Sequence, residues 1–299
     1  MIPYIYVEPL RIGPLTLAPF GILVVVGAIV GIALTRWRAK RVGLPDEDVR
    51  GLLGVIIVGA LLGAHWVDSL LYHPGDVLKN PGSLLTLWSN MSSFGGFVGV
   101  AIGAFLWKYY GSRIVFTIPQ VLNVRVPVRR ATPQRLLPYA DLIMSVFPVT
   151  WIFGRAGCAV VHDHPGARAS TDSWLAVGFG PGAWRDYGFF QLKSGSLPRY
   201  DLGLLELFFT VALALAFALT WHRASTKGWY VAVACTLYAP VRFGLDFLRS
   251  RDLADGGDER YAALTPAQWG CVIMFAFGAW LLARLALSKG GSVAAAGAQ

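Results

Sequence analysis

Long apolar blocks, separated by short polar and basic stretches, run the length of the chain. Seven of them, about 15–35, 51–72, 94–110, 140–161, 202–221, 229–248 and 268–287, approach the ~20 residues a helix needs to cross a hydrocarbon core. Their apolar residues are continuous, without the period of 2 or 3.6 that marks a half-buried strand or helix. The third block is short and carries Gly95, Gly96, Gly99 and Gly103, a spacing suited to close helix packing. The pattern predicts an all-α polytopic membrane protein with about seven transmembrane helices, forming one integral-membrane domain over 1–289. The connection at about 162–200 is too long for a turn and mixes Trp174, Trp184 and Tyr187 with glycines. It is expected to fold as a small extracytoplasmic cap, with its aromatic residues at the membrane interface. Trp66, Trp88 and Trp107 are read as interface anchors or packing. Residues 290–299 read as a disordered, small-residue tail.

Composition agrees with the block pattern. The chain has 299 residues, 55% hydrophobic and only 14% charged, with mean hydropathy +0.54. Few soluble domains carry so little charge. The net charge of +9 is placed asymmetrically. Arg36, Arg38, Lys40, Arg41 and Arg50 lie in the first connection, and Lys108, Arg113, Arg125, Arg129, Arg130 and Arg135 in the third. Arg223, Lys227, Arg284 and Lys289 continue that side. The second connection has only Lys79, and the fourth has Arg168, Arg185, Lys193 and Arg199. This bias predicts a membrane protein with its N-terminus outside and its C-terminus cytoplasmic. The basic balance is therefore a topology signal, and nucleic acid is not an expected partner. The first block has no basic leader and no clear cleavage site, so no cleavable signal peptide is expected. Cys158, Cys235 and Cys271 are scattered in apolar segments without a CxxC pair. That spacing supports neither a disulfide framework nor a metal site, and the cysteines read as small buried fillers.

Two charges break the apolar blocks. Arg155 and Arg242 lie inside the fourth and sixth. A charge at mid-membrane depth costs about 2.5–3.5 kcal/mol on the lenient insertion scale. Such a residue faces a partner, a wet cavity or an anionic ligand, and the commonest membrane anion is a phospholipid phosphate. Arg155 can also brace its helix by snorkelling. The flanking Gly154 and Gly157 favour a ligand, because they let other backbone approach. Arg242 and Asp246 lie four apart, so phosphate binding and intrahelical pairing both fit, with Asp246 orienting the arginine. His65 and Asp68 share one face of the second span, which favours local pairing. His162, Asp163 and His164 are adjacent and cannot all face one point. Each histidine alone reads as a polar loop start, yet the run lies beside Arg155, where a base would be useful.

At these residues a family resemblance enters. Gly154-Arg155-Ala156-Gly157-Cys158 through His162-Asp163-His164-Pro165-Gly166 resembles the signature Gly-Arg-x-Gly-Asn-Phe-x-Asn-x-Glu-x-x-Gly of prolipoprotein diacylglyceryl transferases. Ile12-Gly13-Pro14 before the first span, Met91-Ser92-Ser93-Phe94-Gly95-Gly96, Leu197-Pro198-Arg199 leading to Glu206, and Arg242-Phe243-Gly244-Leu245-Asp246 through Arg249 follow the family's order. The resemblance covers about residues 10–287. The chain departs from the pattern at Phe20 (Tyr in the family), Phe94 (His), Cys158 (Asn), Asp163 and Asp246 (Glu), and Tyr200-Asp201-Leu202-Gly203 (His-Pro-x-Gln).

The resemblance implies transfer of the diacylglyceryl group of phosphatidylglycerol to the lipobox cysteine thiol of a prolipoprotein. Arg155 and Arg242 would hold the phosphate. The incoming thiol must become a thiolate, which needs a base or a positive field. Arg155, Arg242, Asp163, His162 and His164 are the candidate catalytic residues. Gly157, Gly166, Gly95, Gly96 and Asp246 join the two arginines in the candidate lipid site. No cofactor is expected. Two alternatives stay open: a phospholipid-binding paralogue without turnover, and a lipid-group transferase with a different acceptor.

Overall fold

The computed structural model describes the chain except residues 6, 14, 72–73, 87–90, 119–121, 180–197, 223–226, 251–259 and 297–299. The sequence readings on Trp88, Trp184, Arg185, Tyr187, Lys193, Leu197 and Arg223 lie outside the described residues. The protein is mostly helical and divides into two compact units. One comprises Met1–Leu34 and Asp141–Gln299, and the other Thr35–Ala140.

Among the described residues, five helices are long and apolar enough to cross a membrane. They are α1 (Pro19–Val42), α2 (Asp46–Leu71), α5 (Leu136–Val161), α6 (Leu202–Thr220) and α8 (Pro266–Ala296). The other two expected spans are also helices, α4 (Ser93–Tyr109) and α7 (Trp229–Phe247). Helix α4 has 17 residues, and α7 is made more polar by Arg242 and Asp246. The charged first turn of α2 lengthens that helix beyond its apolar block: Asp46, Glu47 and Asp48 complement the helix dipole there. Residues 290–296, expected as tail, continue α8.

The unit Thr35–Ala140 contains the pairing of α2 with α4. Here the glycine spacing of α4 acts as expected. A side chain on Gly99 would fall 1.9 Å from the Gly59 carbonyl oxygen, and one on Gly95 would fall 2.3 Å from that of Gly63. Only glycine permits backbones this close. Ser92 caps α4, its hydroxyl accepting from Gly95 N–H at 3.0 Å. Elements not read from the sequence lie in this unit: α3 (Pro74–Lys79), a 3-10 turn at Pro81–Leu85, and a hairpin of β4 (Tyr110–Ile118) and β5 (Leu122–Arg129). His65 Nε2 meets the Ser83 carbonyl at 3.1 Å, and Trp66 donates to Leu84 O at 3.1 Å. Trp107 is packing, buried edge-on to Tyr139 with Arg130 over its ring.

The other unit packs α6, α7 and α5 around Leu213, Phe217, Tyr230 and Ala234, with Met144 against them. Gly228 opens α7 without a capping side chain, and the buried Asp141 carboxylate accepts from Val231 N–H at 3.1 Å instead. Helix α8 begins with a reciprocal cap. Gln268 N–H donates to Thr265 Oγ1 at 3.2 Å, and Thr265 N–H to Gln268 Oε1 at 3.0 Å, with Pro266 at the first helical position.

Strands β6 (Pro165–Arg168), β7 (Ala176–Gly178) and β8 (Arg199–Asp201) from the fourth connection join β1 (Ile2–Pro3) in a sheet ordered β1-β7-β8-β6. Strand β1 runs parallel to β7, while β8 is antiparallel to both its neighbours. The short strands β2 (Leu10–Ile12) and β3 (Leu15–Leu17) form a hairpin before α1. The described residues of the long connection thus contribute three short strands to this sheet, between α5 and α6 in the chain.

Candidate functional site

Glu206 organises the site. It lies in the first turns of α6, an otherwise uncharged helix, and is 3% exposed. Burying a lone carboxylate is prohibitive, so it must be paired. Its Oε1 accepts from Trp151 Nε1 at 3.3 Å and from the Tyr238 hydroxyl. Arg155 Nε approaches the same oxygen at 3.0 Å, and Arg242 Nε approaches Oε2 at 3.9 Å. One carboxylate therefore gathers both arginines. The sequence reading treated Glu206 only as a landmark. A single acid in a long apolar helix carries the same signal as Arg155 and would have identified it.

Arg155 is 8% exposed and lies over the Trp151 ring, 4.7 Å from its centroid. Its contact with Glu206 is close but misaligned: Nε is buried without a hydrogen-bond acceptor among the described residues. Arg242 is held by Asp246, Nη1 to Oδ1 at 2.9 Å, the i, i+4 pair foreseen in the sequence. Arg249 Nε shares the same oxygen at 2.7 Å. Thr265 donates to the other Asp246 oxygen, and Gln268 Nε2 to Phe243 O at 3.3 Å, so the α8 cap clamps the end of α7. Asp246 is fully buried and orients Arg242.

The three adjacent polar residues separate. His162 ends α5 in the left-handed region, with φ 51°. Its Nδ1 lies 2.5 Å from Asp201 and its Nε2 3.0 Å from Ile5 O, and Tyr4 stacks on the ring at 4.3 Å. Asp201 also caps α6 through Leu204 N–H at 3.0 Å. His162 is thus a buried brace between the chain's start, α5 and α6. Asp163 and His164 turn the other way and contact each other, with side chains one-third exposed. The buried Cys158 thiol faces Asp163. One donor atom from each of Cys158, Asp163 and His164 lies within 4.8 Å of the others. The sequence reading saw no ligand spacing because it sought cysteine pairs. A Cys-x4-Asp-His run across a helix end was the available signal.

Three of the candidate glycines, Gly157, Gly166 and Gly95, lie where a side chain would meet close neighbours. A side chain on Gly157 would strike Phe20 at 2.8 Å. One on Gly166 would meet the Leu248 and Tyr200 carbonyl oxygens, each at 2.8 Å, and Gly166 bridges to Arg249. Arg199 Nη1 donates to Gly166 O and Ser250 Oγ, both at 3.0 Å, fastening the sheet to the end of α7. Gly95 and Gly96 belong to the unit Thr35–Ala140, where Gly95 lies against α2 and Gly96 has looser neighbours. Phe94 is the second residue of α4.

The family model for prolipoprotein diacylglyceryl transferase matches residues 8–132 and 108–284. Curated relatives are named phosphatidylglycerol–prolipoprotein diacylglyceryl transferase. Those of Azoarcus sp. (strain BH72) and Solidesulfovibrio magneticus are each 26% identical over 287 residues, covering 94% of this chain and 95% of theirs. That of Bordetella bronchiseptica is 26% identical over 290 residues, covering 94% and 96%. Two matches that together span nearly the whole chain, over apolar helices that gather buried arginines on one carboxylate, place this protein: it belongs to the prolipoprotein diacylglyceryl transferase family.

Proposed function

We infer that this protein is a membrane-embedded enzyme that transfers the diacylglyceryl group of phosphatidylglycerol to the lipobox cysteine of prolipoproteins. The observation that carries the site reading is the buried Arg155 donor without an acceptor, next to the Glu206 carboxylate that Arg242 also approaches. In this reading Arg155 and Arg242 bind the phosphodiester, with Asp246 orienting Arg242. The thiolate sulfur attacks the glyceryl carbon, the carbon–oxygen bond breaks, and glycerol phosphate leaves with a second negative charge. Fixed guanidinium groups in a water-poor site stabilise that charge as it develops. Asp163 and His164 lie on the thiol side, and His162 and Gly166 position the turn that carries them. Gly157 lets α1 approach beside Arg155.

All seven apolar helices cross the inner membrane in this reading, α4 and α7 included. The charge bias puts the N-terminus and the β1-β7-β8-β6 sheet outside and the C-terminus in the cytoplasm. The sheet is then an extracytoplasmic cap on the side from which secreted prolipoproteins arrive.

The test is complementation of a bacterium depleted of its own diacylglyceryl transferase, following a test prolipoprotein for the diacylglyceryl mass increase. Modification by the native chain and its loss in Arg155→Ala are expected. Membrane-inserted protein without modification would overturn transfer in favour of phospholipid binding without turnover, or of another acceptor.

A further inference from the structure

Cys158, Asp163 and His164 combine a soft thiol, an imidazole and a carboxylate, three donor classes that suit zinc and do not suit magnesium or calcium. They come from the last turn of α5 and the turn that follows it. His162, anchored to Asp201 and Ile5 O, reverses the chain with its positive φ and sends the next two side chains back over Cys158. Tetrahedral zinc bonds of about 2.0–2.3 Å set ligand atoms about 3.3–3.7 Å apart. The three donor atoms here lie within 4.8 Å of one another. Two of the three side chains are one-third exposed, so modest rotations close the difference. The cysteine side is closed, because Gly203 at the start of α6 packs against it: a side chain there would fall 2.9 Å from Cys158 Cβ. The Asp163 and His164 side is open. Charge also balances. Thiolate and carboxylate neutralise a divalent ion, and the neighbouring Arg155 charge is offset by Glu206 at 3.0 Å.

We propose that Cys158, Asp163 and His164 form a three-ligand zinc site whose open fourth position takes the acceptor thiol. The role in catalysis rests on the transferase reading, while the existence of the site does not. Three protein ligands and one exchangeable position are the arrangement of catalytic zinc. A thiol bound to zinc is deprotonated outright, its proton passing to water on the open side. The sulfur then attacks the glyceryl carbon. A carbon–sulfur bond forms, the carbon–oxygen bond to phosphate breaks, and its electron pair leaves on glycerol phosphate beside Arg155. No other oxidant, reductant or co-reactant is required. The site would supply the thiol activation that Phe94, in the family's histidine position, does not.

The experiment uses the full-length protein in detergent, stripped with a chelator, loaded with zinc, dialysed and assayed for zinc by mass spectrometry. One zinc per chain is expected, lost in both Cys158→Ser and His164→Ala and retained in the double variant Cys235→Ser/Cys271→Ser. Cobalt loading should show a thiolate-to-cobalt absorption that Cys158→Ser abolishes. Circular dichroism confirms folding. The exposed His164 keeps the test decisive if Cys158→Ser misfolds. No retained zinc in the native chain, or zinc retained at the native level in Cys158→Ser or His164→Ala, overturns the site. Lipidation of a test prolipoprotein separates the two readings. Zinc bound without lipidation in any form overturns the transferase reading and leaves the site. Lipidation undiminished by metal removal overturns zinc as the thiol activator and leaves the transferase.

Discussion

Arg155 Nε lies 3.0 Å from Glu206 Oε1, yet the two form no aligned hydrogen bond. The carboxylate makes the buried guanidinium tolerable without satisfying its Nε donor. In the proposed reading an incoming phosphate takes this donor. Arg155→Ala is expected to lower transfer by about 10²-fold or more, the scale seen when one fixed donor to a developing anion is removed. Arg155→Lys should recover little, because a point charge cannot reproduce the planar fork. Initial rates of lipidation in membranes with matched protein levels check both.

Tyr238 donates to Glu206 from α7, and Trp151 donates from α5. These bonds fix the carboxylate between the two arginines. Tyr238→Phe removes one hydroxyl and keeps the ring. A hydrogen bond to a charged group contributes about 1.5–3 kcal/mol, so a tenfold or larger fall in rate is expected. Lipidation kinetics should show it with unchanged protein accumulation. A wild-type rate would exclude Tyr238 as a positioning residue.

His162 and His164 should separate cleanly. His162 is buried with contacts at both ring nitrogens, and its partner Asp201 caps α6. His162→Ala leaves the buried Asp201 carboxylate without that hydrogen-bond partner, which costs about 1–3 kcal/mol or more for a charged group. The melting temperature in detergent should fall sharply. His164→Ala touches a side chain that is one-third exposed, so it should leave the melting temperature near that of the native chain while lowering the lipidation rate.

The α2–α4 contact makes opposite predictions for two glycines. A side chain on Gly99 would meet the Gly59 carbonyl at 1.9 Å, whereas one on Gly54 would meet nothing within 4 Å. Gly99→Ala should destabilise by about 1–3 kcal/mol, as overpacking does. Gly54→Ala should be neutral or stabilising by up to about 1 kcal/mol through helix propensity. Thermal unfolding in detergent compares them directly.

The apolar blocks at 15–35, 51–72, 140–161, 202–221 and 268–287 were legible as membrane-crossing helices because hydropathy is a local property of the chain. The glycine spacing at Gly95, Gly99 and Gly103 was legible for the same reason, since four-residue steps place small residues on one helix face. The two arginines were visible as charges out of place, and Asp246 as a neighbour one turn from Arg242. Their common partner was not visible. Glu206 is 51 residues from Arg155 and 36 from Arg242, and only the packing of α5, α6 and α7 brings the three together. Likewise, sequence alone could say that His162, Asp163 and His164 cannot all face one point, but not which would turn where. The left-handed backbone at His162, fixed by Asp201 from β8 and Ile5 from the N-terminal segment, made that choice. Sequence by itself determined which segments form long apolar helices and which charges must find partners among them. Tertiary structure alone decided who those partners are, because a buried charge is paired by side chains near in space whatever their separation along the chain.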